Sequence, residues 1–191
     1  MEWLLNIDRE LFLFINSLHH PWLDQIMIFA SGKLSWLPLY LLFLYLIIEK
    51  YKWESIRILL FVAILISISD QVSVRFFKDV FERPRPCHDA ELMPLIHLVT
   101  GKCGGMYGFI SSHAANSFAL AFFLIPLLKT FHSKTTLFLL LWAAFVSYSR
   151  IYLGVHYPAD VVAGAIVGSL IGLVIYWLYT FMRDKLCRKN C

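Results

Sequence analysis

The class of fold is decided by Ala159–Met182, ADVVAGAIVGSLIGLVIYWLYTFM. Its one charge, Asp160, stands at the start, and the rest is long enough to cross a bilayer, which takes about 20 apolar residues. Gly164, Gly168 and Gly172 recur at every fourth position, so they share a helical face and let a second helix approach closely. That tract reads as structural. The stretch leading into it reads differently: Ser149-Arg150-Ile151-Tyr152-Leu153-Gly154-Val155-His156-Tyr157-Pro158-Ala159-Asp160 joins two apolar runs and holds an Arg, a His and an Asp within eleven residues. Pro158 suits the first turn of a helix, where its missing N–H costs nothing. Asp160 then sits in that turn, and its carboxylate can fold back toward His156. A carboxylate on one imidazole nitrogen fixes the tautomer and leaves the other nitrogen free to attack or to accept a proton. Arg150, near the end of the preceding helix, is a ready ligand for phosphate.

Composition extends the membrane reading to the whole chain. Its 191 residues are 59% hydrophobic and 16% charged, with mean hydropathy +0.67. A soluble domain carries about a quarter charged residues. Leu23–Ile48, Ile56–Phe77, Ile110–Leu128, Thr135–Tyr152 and Ala159–Met182 read as spans. The expected fold is an all-α integral membrane helical bundle of about five to six helices, one membrane-embedded domain over 1–191. Met1–Leu18 lacks the basic start and cleavage site of a signal peptide. It is expected to be an amphipathic helix lying at the interface, ended by His19-His20-Pro21, a solvated turn rather than a metal site. The first span is awkward at Gly32-Lys33, where Lys33 can snorkel outward. Trp22, Trp36 and Tyr40 on one side, and Trp53 on the other, read as interfacial anchors. A net charge of +4 gives no reason to propose nucleic acid as a partner, and nothing in the sequence fixes the oligomeric state.

Charge inside the spans points to a site. Ser67, Asp70, Gln71, Arg75 and Lys78 recur at three- and four-residue intervals and line one helical face. Such a stripe is costly in lipid unless it faces a cavity or finds partners, an Asp70–Arg75 pair being the structural alternative. Arg83-Pro84-Arg85-Pro86 follows, a rigid turn that aims its cations. Ser111, Ser112 and His113 fall at a helix start, where free N–H groups and the helix dipole favour anions. Chain direction puts the loop after the second span, the start of the third and the joint between the last two on one side of the membrane. Lys78, Arg85, Ser111, His113, Arg150, His156 and Asp160 can therefore meet. Cations around a helix start describe an oxyanion site, and two histidines beside it describe a nucleophile and a proton donor. No carboxylate cluster stands ready for Mg²⁺, and Cys87-His88-Asp89 lacks spaced partners, so neither metal nor cofactor is expected.

At these residues the chain resembles the type 2 phosphatidic acid phosphatase family, membrane lipid phosphatases that share a core with vanadium haloperoxidases. The likeness lies in Lys78-x6-Arg85-Pro86, Ser111-x-His113 and Ser149-Arg150-x5-His156-x3-Asp160, and covers roughly residues 20 to 182. The second stretch departs from the family's Pro-Ser-Gly-His, with Ile110 for the Pro and Ser112 for the Gly. The resemblance implies that His156 attacks phosphorus to give a phosphohistidine while Asp160 orients it. It implies that His113 protonates the leaving oxygen and later activates water. Lys78, Arg85 and Arg150 then neutralise the phosphoryl oxygens, helped by Ser111 and the amides near Ser112. A haloperoxidase would bind vanadate at the same residues but has no need of lipid access. A transporter would explain intramembrane charge, but no broken-helix repeat supports one.

The cations give the expected orientation. Lys50, Lys52, Arg57, Lys129, Lys134, Arg183, Lys185, Arg188 and Lys189 fall on one side. Arg9, Lys33, Arg75, Arg83 and Lys102 fall on the other, beside Lys78, Arg85 and Arg150, which have a phosphate to bind. The positive-inside rule then places the site outside the cytoplasm, on the periplasmic side of a bacterial inner membrane. An oxidising exterior permits a Cys87–Cys103 disulfide, whereas Cys187 and Cys191 stay reduced inside. The substrate expected is a membrane lipid phosphate taken from the outer leaflet, with undecaprenyl pyrophosphate first. Lipid A is the alternative, then phosphatidylglycerophosphate or phosphatidic acid.

Overall fold

The computed structural model describes residues 2–129, 131 and 134–189, the side chains of 186–189 excepted. Cys187, Cys191, Arg188 and Lys189 of the sequence reading lie outside the described side chains. Helices α1 (Glu2–Ser17), α2 (Pro21–Ser31) and α3 (Leu37–Tyr51) come first. The chain reverses at Lys52, whose φ is 48°, into α4 (Ser55–Gln71). This helix continues through a π-helical stretch, Val72–Lys78, into the short α5 (Asp79–Phe81). A long loop leads to α6 (Ser112–Leu128), α7 (Thr135–Tyr152) and α8 (Pro158–Lys189). Among the described residues there is no β-strand, only an isolated bridge between Pro84 and Tyr107.

Leu37–Phe81, Thr135–Tyr152 and Pro158–Lys185 are long and apolar enough to cross a membrane, and α6 is a shorter apolar helix. Large side chains such as Leu41, Leu60, Leu141, Leu170 and Trp177 face outward. In water that surface would be a gross liability, and in lipid it is the expected exterior. The protein is an all-α integral membrane bundle. Its interior is built where α4, α6, α7 and α8 converge, around Leu65, Phe123, Leu124, Leu139, Trp142 and Tyr179. The seam of α6 and α8 is the closest approach. A Cβ at Gly168 would stand 2.1 Å from the Ala115 carbonyl oxygen, and one at Gly172 would stand 2.5 Å from that of Ala119. The glycine spacing thus does what its register predicts.

Three expectations need correcting. The first span, Leu23–Ile48, is two helices. The chain breaks after Ser31, a Cβ on Gly32 would collide with Ser35 Oγ at 2.3 Å, and Trp36 Nε1 bonds back to the Ala30 carbonyl at 2.9 Å. Trp36 is consequently a packed residue against Trp142 and Phe145 rather than an interfacial anchor. The polar stripe of the second span does not stay on one face. The π-helical turn changes the register, so Arg75 points outward while Lys78 turns inward, and no Asp70–Arg75 ion pair forms among the described residues. The amphipathic α1 is present: Trp3, Leu4, Leu11 and Phe14 face outward, while Asp8, Phe12 and Asn16 are buried.

Candidate active site

Every residue nominated from the sequence lies at one end of the bundle. His156 sits in the α7–α8 connection, where Gly154 with φ 82° turns the chain inward. It is 2% exposed. Its Nδ1 faces Asp160 Oδ2 at 3.4 Å, and its Nε2 lies 3.0 Å from Arg85 Nη1. A guanidinium only donates, so Nε2 is the lone-pair nitrogen and Nδ1 carries the proton toward Asp160. Burial first, then the charges of Arg85, Arg150 and Lys78, hold the imidazole well below the usual histidine range. A neutral, oriented imidazole with its free nitrogen turned to a guanidinium is primed to act as a nucleophile.

Asp160 is fully buried in the first turn of α8. Its Oδ2 also accepts the Tyr157 N–H at 3.1 Å, and its Oδ1 accepts from Arg83 Nη1 at 2.8 Å. The segment carrying Arg83 and Arg85 is stiffened by its own pairing: the Arg85 N–H donates to Met106, and the Gly108 N–H donates to Arg83. The Cys87–Cys103 disulfide, which the sequence permits, closes this loop beside the site. Gly108 is needed for space, since a Cβ there would come within 3.1 Å of Asp160 Oδ2 and 3.2 Å of Arg85 Cγ.

The opposite wall comes from α6 and the α2–α3 break. Ser111 caps α6, and its N–H donates to the Asp160 carbonyl at 2.9 Å, joining α6 to α8 at the site. Lys78 Nζ donates to Ser112 Oγ at 2.7 Å, so the residue that replaces the family's Gly is held by a site cation. His113 interacts with the backbone of Ser31 and lies within electrostatic range of Arg150 and His156. Arg150 Nη1 donates to Ser31 Oγ. Arg85 Nε, Arg150 Nε and Ser111 Oγ are buried without a hydrogen-bond partner. Unpartnered buried donors are costly, and these three form a candidate cradle for an anion with several acceptor oxygens.

Past Ser31, Ser112 and His113, a cleft of about 560 Å³ runs into the bundle between α3, α4, α6 and α7. Phe43, Ile47, Leu59, Val62, Leu120 and Val146 make its walls apolar, whereas Lys33, Asp70, His113 and Asn116 stand at its polar end. His113 therefore faces the cleft and His156 does not. Sequence reading missed Ser31, Arg83 and Asp8. The break at Gly32-Lys33 was the signal for the first, and Arg83 was legible as a cation aimed by a rigid turn, but not as a partner of Asp160.

Comparison with known proteins places this geometry. The profile of the PAP2 superfamily matches residues 55–184. The chain is similar to the lipid A 4'-phosphatase of Bacteroides thetaiotaomicron, 39% identical over 188 residues, covering 97% of this chain and 81% of the relative. It is also similar to that of Porphyromonas gingivalis, 36% identical over 195 residues, covering all of this chain and 80% of the relative. Its fold is shared with the transmembrane PAP2-type phosphatidylglycerolphosphate phosphatase of Bacillus subtilis, at TM-score 0.66 and 24% identity, covering 97% of this chain and 88% of that one. The chain belongs to the PAP2 superfamily and is a membrane lipid phosphatase.

Proposed function

We propose that the chain, acting as one domain over 1–191, removes a phosphate from lipid A or a closely similar sugar-based lipid through a phosphohistidine. The observation that carries this reading is the position of His113, between the anion cradle and the apolar cleft. With the acyl chains along the cleft, the phosphate reaches Lys78, Arg85, Arg150, Ser111 and the amides at Ser112. The lipid oxygen then lies on the His113 side and the nucleophile on the other, as in-line displacement requires. His156 Nε2 forms the bond to phosphorus as the P–O bond to the lipid breaks, and the departing oxygen takes a proton from His113. Water then attacks the phosphohistidine, giving its proton to His113, and inorganic phosphate leaves. Arg85 Nη1, bonded to Nε2 in the unloaded site, transfers to a phosphoryl oxygen and frees the nucleophile. Asp160 stabilises the proton on Nδ1 throughout. No step calls for a metal or cofactor.

The sequence alone put undecaprenyl pyrophosphate ahead; two observations favour lipid A. Two relatives, 39% and 36% identical over 97% or more of this chain, are lipid A 4'-phosphatases. The cleft's polar end, moreover, has groups that a polyprenyl chain cannot use. Asn116 Oδ1 is buried there without a partner, beside Lys33 and Asp70, and the hydroxyl and amide groups of a sugar-based lipid can satisfy them. Release of phosphate from purified lipid A, undecaprenyl pyrophosphate, phosphatidylglycerophosphate and phosphatidic acid tests the assignment. Lipid A should show the highest kcat/KM; an equal or higher value for undecaprenyl pyrophosphate overturns it. The cation distribution supports a site on the periplasmic side of the inner membrane. After reduction, a membrane-impermeant thiol reagent applied to spheroplasts should label Cys87 and Cys103, and labelling of Cys187 instead reverses the orientation.

A further inference from the structure

Asp8, on α1, has no part in the mechanism above, yet both its oxygens reach the catalytic dyad's supports. It is 7% exposed. Oδ2 accepts from Arg83 Nη2 at 2.6 Å, and Oδ1 accepts the Ala159 N–H at 2.8 Å. Ala159 is the residue before Asp160 and supplies the first amide of α8, since Pro158 has none. The other arm of Arg83, Nη1, holds Asp160 Oδ1 at 2.8 Å, and the guanidinium lies 4.0 Å over the Tyr157 ring. One carboxylate thus anchors the backbone that carries Asp160 and, through Arg83, the rotamer of its side chain. Asp160 has two oxygens to place, and only Oδ2 serves His156. Fixing Oδ1 on Arg83 decides which oxygen that is.

We propose that Asp8 is a positioning residue for phosphoryl transfer: through Arg83 and the Ala159 amide, α1 holds Asp160 in the orientation that aims His156 at phosphorus. The inference rests on His156 being the nucleophile. Asp8 touches neither the phosphate cradle nor the lipid cleft, so its loss slows attack without weakening substrate binding. Nor does it touch His113, so the defect does not depend on the leaving group.

Asp8→Asn keeps the shape but turns one acceptor into a donor facing either Arg83 or the Ala159 N–H. Its kcat should fall about 10- to 100-fold, the range found when the group that orients a metal-bound imidazole is lost. KM should stay near that of the parent, and the factor should be the same for a lipid phosphate and for an activated aryl phosphate. Arg83→Lys, which keeps the charge but loses the two-armed bridge, should show the same split. Glu91→Gln cuts an exposed contact between α1 and the same loop, the 3.3 Å pair with Arg9, and should leave kcat unchanged. Phosphoenzyme formation is followed in all of these and in His156→Ala. Unchanged kcat in Asp8→Asn, a loss confined to KM or thermal stability, a defect that disappears with the aryl ester, or an equal loss in Glu91→Gln overturns the role of Asp8. Phosphoenzyme that persists in His156→Ala overturns the underlying reading instead.

Discussion

The two walls of the site are built on opposite terms. On the α8 wall, polar atoms are matched: Asp160 has Arg83, the Tyr157 amide and His156, and Arg83 has Asp8 in turn. On the phosphate side, Arg85 Nε from the loop, Arg150 Nε from α7 and Ser111 Oγ at the start of α6 are buried and unmatched. A matched network holds a side chain in one place, whereas unmatched buried donors store affinity for whatever can accept from them. In the proposed mechanism one wall aims the nucleophile, and the other receives the charge of the substrate. Substitutions should separate the two, because loss of aim lowers kcat alone while loss of the cradle also weakens anion binding.

The largest contrast should come from His113→Ala. General acid help is worth about 10²–10⁴-fold, and a loss of that size is expected with the lipid substrate, whose alkoxide leaves poorly. An activated aryl phosphate, needing little protonation, should recover much of it; equal losses on both esters would remove His113 from the leaving-group side. Next comes Arg150→Gln, which takes one cation from the cradle. The expected fall in kcat/KM is about 10²–10³-fold, as for one lost oxyanion donor, together with weaker inhibition by vanadate. Undiminished vanadate inhibition would place the anion elsewhere.

How much of this was legible in the chain follows the same division. Lys78, Arg85, Ser111, His113, Arg150, His156 and Asp160 were readable because their chemistry is local: each stands in a short stretch of diagnostic spacing. The α6–α8 seam was readable for a similar reason, since Gly164, Gly168 and Gly172 announce a close approach. Asp8 and Arg83 were not. Their meaning depends on a meeting between residues 75 positions apart, and α1 taken alone gives an ordinary amphipathic pattern that does not tell what its buried Asp8 meets. The π-helical stretch Val72–Lys78 has no Pro or Gly to mark it, so the register change that sends Lys78 inward and Arg75 outward was hidden. The break after Ser31 was half visible, as an awkward Gly32-Lys33 in an otherwise long span.

Smaller effects test the join between the walls. Gly168→Ala would press a methyl group onto the Ala115 carbonyl at the seam that sets α6 against α8. Overpacking of this kind costs about 1–3 kcal/mol, seen as a lower thermal midpoint in detergent; an unchanged midpoint would mean the seam is looser than its geometry. The smallest effect concerns pH. An unfolded histidine titrates near 6.5, whereas buried His156 titrates lower. Between these values the unfolded chain binds the extra proton. Stability present above about pH 6.5 is therefore lost as pH falls toward the folded value, by at most about 1.4 kcal/mol per pH unit. The thermal midpoint of His156→Asn should decline less steeply than the parent's from pH 6.5 to 5.5, and parallel declines would contradict a neutral, buried His156.

The central claim is that the matched wall delivers a covalent nucleophile. Rapid quenching of the parent enzyme with phosphate-labelled lipid substrate measures this directly. An acid-labile phosphoenzyme should accumulate within the first turnover, map to His156, and be absent in His156→Ala, which should also lack turnover. Wild-type turnover by His156→Ala, or label recovered on any other residue, would contradict the account.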